Sequence, residues 1–218
     1  MSFKTQVEKV AQQMQQVGIE YDKLFDNFGI KLYEKLSMKK GSCEQVDIVH
    51  KELDEILDAF SLYFPSKSVI ACQAKCSSCC SFPIHCPPQT IEHIAKHIET
   101  NYSKEEIKNL IVAFHKNIKE RKAPYFRATC PFLGEDKCCK IYEQRPLVCR
   151  WFTSPDASLC ERSIQSGETI PQQQTQHRIY QLANTALVLT SKNKENDNAQ
   201  VEFIPAILQR LEEEKCEE

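Results

Sequence analysis

Apolar residues recur in alternating steps of three and four along the N-terminal stretch: Val7, Val10, Met14, Val17, Tyr21, Leu24 and Phe28. Such stepping lays them on one stripe of a helix. Gly29 and Gly41 mark the broken region that follows, and Ser42 with Gln45 has the spacing of a capping box. Val46, Val49, Leu53, Ile56, Phe60 and Tyr63 then repeat the pattern. The simplest product is a helical hairpin extension over residues 1–65 whose stripes face each other. The stripe reads as core, with a homo-dimer or partner helix as the alternative, since four heptads suffice for a coiled coil.

Residues 66–165 hold ten of the twelve cysteines. Between them Pro87 and Pro88 suit a helix start, followed by an apolar face at Ile91, Ile94, Ala95 and Ile98. Ser103 with Glu106 is a second capping box ahead of Ile107, Leu110, Ile111, Phe114 and Ile118. From Pro124 to Ser166 periodicity fades, which predicts loops and short helical turns. Residues 166–218 read as C-terminal helices, roughly Pro171–Ser191 and Ile204–Glu214, joined by a polar loop from Lys192 to Gln200. The expected fold is mostly α, with helical N- and C-terminal segments packed around an irregular cysteine-rich middle. No strand pattern longer than a few residues occurs, which argues against Rossmann or thioredoxin-like scaffolds.

Composition narrows the classes. The 218 residues are 41% hydrophobic and 27% charged, with a formal net charge of −2. That balance gives no basic footprint for nucleic acid, and the run Lys119 to Lys122 reads as a solvated face. No segment approaches the ~18 apolar residues of a membrane span. The N-terminus has no apolar signal run, so a cytoplasmic protein is expected, and neither a membrane nor nucleic acid is an expected partner. In a reducing compartment clustered cysteines are metal ligands or redox groups more readily than disulfides.

The cysteines form two clusters: Cys72, Cys76, Cys79 and Cys80, then Cys130, Cys139, Cys149 and Cys160. A metal ion holds a thiolate deprotonated and cancels its charge, so the clusters read as halves of one metal-binding centre. Cys76-Ser77-Ser78-Cys79 is the CxxC step that lets two sulfurs reach one tetrahedral ion. Adjacent side chains are expected to point apart, so Cys79 and Cys80 would serve two metals or two atoms of a cluster. Eight thiolates make two four-cysteine sites or one polynuclear centre. Arg145 and Arg150, close to Cys149, could offset part of the negative charge.

At these residues the chain resembles the CxxCxxCC (YkgJ-like) cysteine-cluster family, described as zinc- or iron-chelating domains. The first signature is similar to Cys72-Gln73-Ala74-Lys75-Cys76-Ser77-Ser78-Cys79-Cys80. The second is similar to Cys130-Pro131-Phe132-Leu133 with Cys139-Lys140-Ile141-Tyr142-Glu143-Gln144-Arg145-Pro146-Leu147-Val148-Cys149-Arg150, and Cys160 matches a last downstream cysteine. The resemblance covers about residues 70–165 and implies metal binding by those eight cysteines. Cys138 departs from the pattern; Cys139 is favoured because it directly precedes the Lys-Ile-Tyr-Glu run. Some longer relatives resemble flagellin lysine N-methylases, in which the cysteines are thought to hold an iron–sulfur cluster. Cys72, Cys76 and Cys79 also have the spacing of radical S-adenosylmethionine enzymes, but Ser78 stands where those carry an aromatic residue and only five glycines occur. The expected function is a zinc- or iron-binding protein whose centre is structural or serves metal storage, delivery or sensing. The alternative is an iron–sulfur-dependent enzyme, with no catalytic residue identifiable.

Other candidates are weaker. His93 and His97 have a zinc-gripping i,i+4 spacing but project away from the Ile face, so solvent exposure is expected. His85 and Cys86 are auxiliary-ligand candidates, with structural filler the simpler reading. His50, His115 and His177 have no partner visible in sequence. Cys43 and Cys216 read as non-ligand thiols. Trp151, Phe152, Phe132 and Tyr142 are expected to pack over the centre and exclude water.

Overall fold

The computed structural model describes residues 2–63, 70–191 and 200–213. Cys216, most of the polar loop and the last residue of the final expected helix lie outside the described residues. Among those described run eight α-helices: α1 (Phe3–Ser37), α2 (Ser42–Tyr63), α3 (Pro88–Asn101), α4 (Lys104–Glu120), α5 (Leu147–Trp151), α6 (Ala157–Ser166), α7 (Gln174–Thr190) and α8 (Phe203–Glu213). Two short strands, β1 (His85–Cys86) and β2 (Val201–Glu202), pair antiparallel. The protein is therefore mostly α, as the stepping of its apolar residues predicts.

Local chemistry explains most helix boundaries. Pro88 opens α3, where its missing N–H costs nothing. Ser103 and Glu106 close the reciprocal capping box of α4. Ser42 and Gln45 do not form one: α2 already begins at Ser42, and the Gln45 amide turns back to the end of α1. There its Nε2 donates to the carbonyls of Leu36 (3.1 Å), which also accepts from Lys39 N–H (2.9 Å), and of Lys39 (3.0 Å), tying down the end of the helix.

α1 and α2 run antiparallel, with Phe25 against Phe60 (5.8 Å between ring centroids) and Lys35 paired with Glu52. The more extensive partner of α1 is α7 rather than α2. Tyr21 meets Thr175 (2.9 Å), Asp22 meets Arg178 (2.6 Å), and the backbone at Gly29 approaches Leu182 so closely that a Cβ would stand 3.2 Å from it. Helical periodicity identifies the buried face but not the element that covers it, which is why the simple hairpin gave way to a three-helix contact.

Two apolar cores result. One joins α3, α4 and α8 around Ile94, Ile98, Phe114 and Ile207, and takes in Cys86, Phe132 and Ile141 from the cysteine-rich middle. The other joins α1, α2 and α7 around Phe25, Leu53 and Leu187, and takes in Leu147. The middle segment is thus pinned into both. α8 is further held by Arg210, which pairs with Glu92 and Glu99 of α3, and by Arg121 bonded to Glu202. Arg121 is therefore folded in, contrary to the solvated face expected of the basic run around it.

His93 also departs from expectation. Its ring packs edge-on against His50 (5.7 Å) and bonds Asp47 (2.9 Å), so α2 covers it. His50 has its pKa lowered to about 3, first by burial and then by the positive charges of Arg150 and Arg145 and the neighbouring His93. A folded pKa below the unfolded value of about 6.5 means that acid favours the unfolded chain. Stability should hold above about pH 6.5 and fall by roughly 1.4 kcal/mol per pH unit down toward pH 3 from this group alone. Denaturant titrations of the wild type and His50→Gln across that window should show the shallower slope in the variant.

Candidate metal centre

Four segments supply the cysteines. The first is anchored where Ala71 N–H donates to Ser154 O (2.8 Å) and Ser154 N–H donates to Cys72 Sγ (3.3 Å). Lys75 turns the chain through a left-handed conformation (φ 69°), and a 3-10 turn, Ser78–Ser81, presents Cys79 and Cys80. The second segment docks on it through Cys130 N–H to Cys80 O (2.7 Å) and Ala128 N–H to Ser81 O (3.2 Å). It then doubles back, with Leu133 bridged to Cys139 and Gly134 N–H donating to Cys138 O (2.8 Å). Alternation along this extended piece turns neighbouring side chains to opposite sides. Cys139 is half-buried; Cys138 is exposed and its Sγ lies near Asp136 O.

α5 supplies Cys149 and α6 supplies Cys160. α6 is fixed at both ends. Asp156 caps its first turn by accepting from Ser158 and Leu159 N–H, and Gly167 ends it at φ 69°. A Cβ at Gly167 would fall 2.1 Å from the Tyr125 ring, so only glycine fits that close. α6 packs on the 3-10 turn and sets Cys160, 4% exposed, behind it.

One cavity of about 540 Å³ is lined by Cys72, Cys76, Cys79, Cys80, Cys130, Cys139 and Cys149, with Cys138 also on its wall. Phe132, Phe152, Phe203 and Ile204 supply apolar wall; Arg145, Arg150, Arg121, Lys75 and Lys137 supply positive charge. All eleven described cysteines are free thiols. Among the described residues no three His, Cys, Asp or Glu side chains are drawn together closely enough to hold a single ion.

The electrostatics place Cys79 at the middle. Its thiol is pushed well above the ordinary cysteine value by a side-chain hydrogen bond with Cys80, then by burial, while Arg145 opposes the shift. Both adjacent side chains line the cavity instead of one pointing away from it; in the 3-10 turn successive residues do not alternate faces as in a strand. Burial raises Cys72 and Cys160, and both also feel Cys76 and Cys79. On the other side burial pushes Cys130 up to about 12 and Cys149 well above its usual range, with Cys139 and Cys79 acting on both. Arg145 lowers Cys139, and Arg121 lowers Cys130. The donor set fits a thiophilic metal in chemistry: free thiols, a low-dielectric setting and flanking cations.

The comparisons agree with that chemistry. Residues 71–173 match the model of the CxxCxxCC family, described as "Putative zinc- or iron-chelating domain". This segment resembles the CxxCxxCC domain over its cysteine-rich part. No curated protein and no solved structure matches the chain. The match supports metal binding in general, whichever the metal.

Several candidates fall outside the cavity. Cys86 is buried in the α3–α4–α8 core with its thiol pushed up to about 12 by burial, and His85 is exposed. Cys43 lies among charges of α3, near Lys96 and Glu92. His97 bonds Asn101 (3.2 Å), His115 bonds Glu212 (2.9 Å), and His177 packs against Trp151. Trp151 turns away from the cavity toward α7, where it meets His177 and Tyr180, so it does not cover the thiols. Phe152 does, stacked edge-on with Phe82 (5.4 Å), whose face carries Arg127. Tyr142 lines the rim under the Arg145 guanidinium (3.9 Å). Sequence reasoning missed Phe203, Ile204, Asn117 and Arg121 as wall residues; they come from helices with ordinary apolar or polar patterns, and nothing in those patterns signals a cavity.

Exposure ranks the thiols in the metal-free protein. Mass-mapped labelling with a small alkylating reagent under native conditions should mark Cys72 and Cys138 first, and Cys86 and Cys160 last. Equal labelling of all four at short times would contradict this arrangement.

Proposed function

We propose that the protein chelates two zinc or iron ions in one thiolate centre and serves to store or deliver them. What supports this reading is the gathering of seven of the eight cysteines on one cavity wall, with Cys72 and Cys160 feeling Cys76 and Cys79, and Cys130 and Cys149 feeling Cys139 and Cys79. We read this as two triads, Cys72, Cys76 and Cys160 and Cys130, Cys139 and Cys149, sharing the Cys79–Cys80 pair. Each triad needs one more sulfur to complete four-coordination, and the pair offers one to each. Cys138 faces solvent and is left over.

Thiols must lose their protons to bind metal, and burial of the neutral thiols favours that loss only when the ion arrives. Loading therefore couples to drawing the cavity walls together. Arg145, Arg150 and Arg121 offset the excess negative charge of eight thiolates around two divalent ions. Exposed Cys72 leaves a side on which ions can exchange, which favours handling over a sealed structural site. The cavity volume, within the ~300–1,000 Å³ usual for small-molecule sites, favours as a second reading an iron–sulfur-dependent enzyme.

Anaerobic purification with metal analysis, sulfide assay and visible spectra separates the two. Colourless protein with two zinc ions, or two irons without inorganic sulfide, supports the chelating centre; brown protein with stoichiometric sulfide supports the enzyme reading. Cys79→Ser and Cys139→Ser should each lower metal content to about one ion per chain or less, and Cys138→Ser should leave it unchanged. Full loading of both Cys79→Ser and Cys139→Ser would sink the assignment. Chelator treatment should lower the melting temperature of the wild type by roughly 10 °C or more, given the ~10 kcal/mol scale of structural metal binding and ~2–4 °C per kcal/mol at this size.

A further inference from the structure

The first half of α1 has no covering element among the described residues. α7 begins at Gln174, level with Tyr21 through the Tyr21–Thr175 bond, and α2 reaches the same level where Phe60 meets Phe25. Residues 3–20 therefore overhang both neighbours by about 27 Å at 1.5 Å per residue. Phe3, Val7, Val10, Met14 and Val17 form one stripe on this overhang, Leu24 continues it just beyond, and all six are between 50% and 81% exposed. From Phe25 onward the same helix is buried against α7, so the exposed stripe continues an interface that already exists.

We propose that this overhang pairs with its counterpart on a second copy of the chain, as an antiparallel two-stranded coiled coil about a two-fold axis. Three observations favour a second copy. The overhang carries Lys4 and Lys9 against Glu8 and Glu20, so it is neutral and does not repel itself. A lipid surface would select a polar face rich in Lys and Arg, whereas this one carries five Gln against two Lys and no Arg. Gly18 weakens an isolated helix, and a Cβ there would meet nothing within 4 Å. With Ala11 one heptad earlier, it makes a smooth flank that lets two backbones approach.

The heptad places Val7, Met14 and Tyr21 at one core position and Phe3, Val10, Val17 and Leu24 at the other. An antiparallel register mixes the two positions. Met14 of one copy then meets Val17 of the other, and Val7 meets Leu24, each larger side chain against a smaller one. A parallel register would stack Met14 on Met14 and Val10 on Val10. The antiparallel arrangement also sets Gln13 of one copy beside Glu20 of the other, while a parallel one sets Gln13 beside Gly18. The contact is isologous and closes at two.

Sedimentation equilibrium on the metal-loaded full chain tests this. The wild type should weigh about twice 25.2 kDa at tens of micromolar. Val10→Glu with Val17→Glu should give a monomer with unchanged circular dichroism and unchanged metal per chain, since both side chains are exposed. Gln13→Lys should tighten the dimer several-fold and Gln13→Glu should loosen it. A wild type that stays at 25.2 kDa overturns the proposal, as does tight binding of monomer to phosphatidylglycerol vesicles that the double variant abolishes. Gln13 variants without effect on a real dimer overturn the antiparallel register. Metal content is read separately, so failure here leaves the metal centre untouched, and the reverse.

Discussion

Many thiols in one poorly hydrated space are stable only as neutral groups or as ligands of a cation. That constraint governs the middle of this protein. Burial raises Cys72, Cys130, Cys139, Cys149 and Cys160, and each added thiolate would raise its neighbours further. Arginines on the same wall oppose this without cancelling it. A cavity built this way is poised between protonated and metal-bound forms, and the match of this segment to a zinc- or iron-chelating family model favours the latter.

Holding such thiols in place takes scaffolding that the cysteine segment cannot supply by itself. Its own backbone bonds are local ties: Cys80 to Cys130, Ala71 to Ser154, Gly134 to Cys138. Its apolar residues are divided between two cores, with Phe132 and Ile141 in one and Leu147 in the other. The helices at the two ends of the chain complete those cores. The cavity therefore lies at the junction of parts that are distant in sequence, and its shape depends on how they sit together.

How much of this was legible in the sequence depended on the kind of signal. Helices α1 to α4 announced themselves through apolar stepping, and the α4 capping box through a spacing that has one efficient use. The grouping of cysteines was legible because few other pressures put that many thiols at such spacings. The covering of α1 by α7 was not, because an apolar stripe is silent about its partner. Gln45 misled because its spacing from Ser42 suits two different caps, and the carbonyls of Leu36 and Lys39 won. Trp151 misled because adjacency to Cys149 says little about direction on a helix, where one residue is a turn of 100°. Strands of two residues, such as those pairing His85–Cys86 with Val201–Glu202, carry no pattern at all.

Part of the cavity's apolar wall comes from Phe203 and Ile204, more than fifty positions after Cys149. A ribosome adds about 5–20 residues per second, so Cys149 emerges several seconds before the helix that shelters it. During that interval the nascent thiols stand open to oxidants and to whatever metal is at hand. Sealing waits for α8 to dock, so a segment made after all the cysteines of the cavity completes its wall.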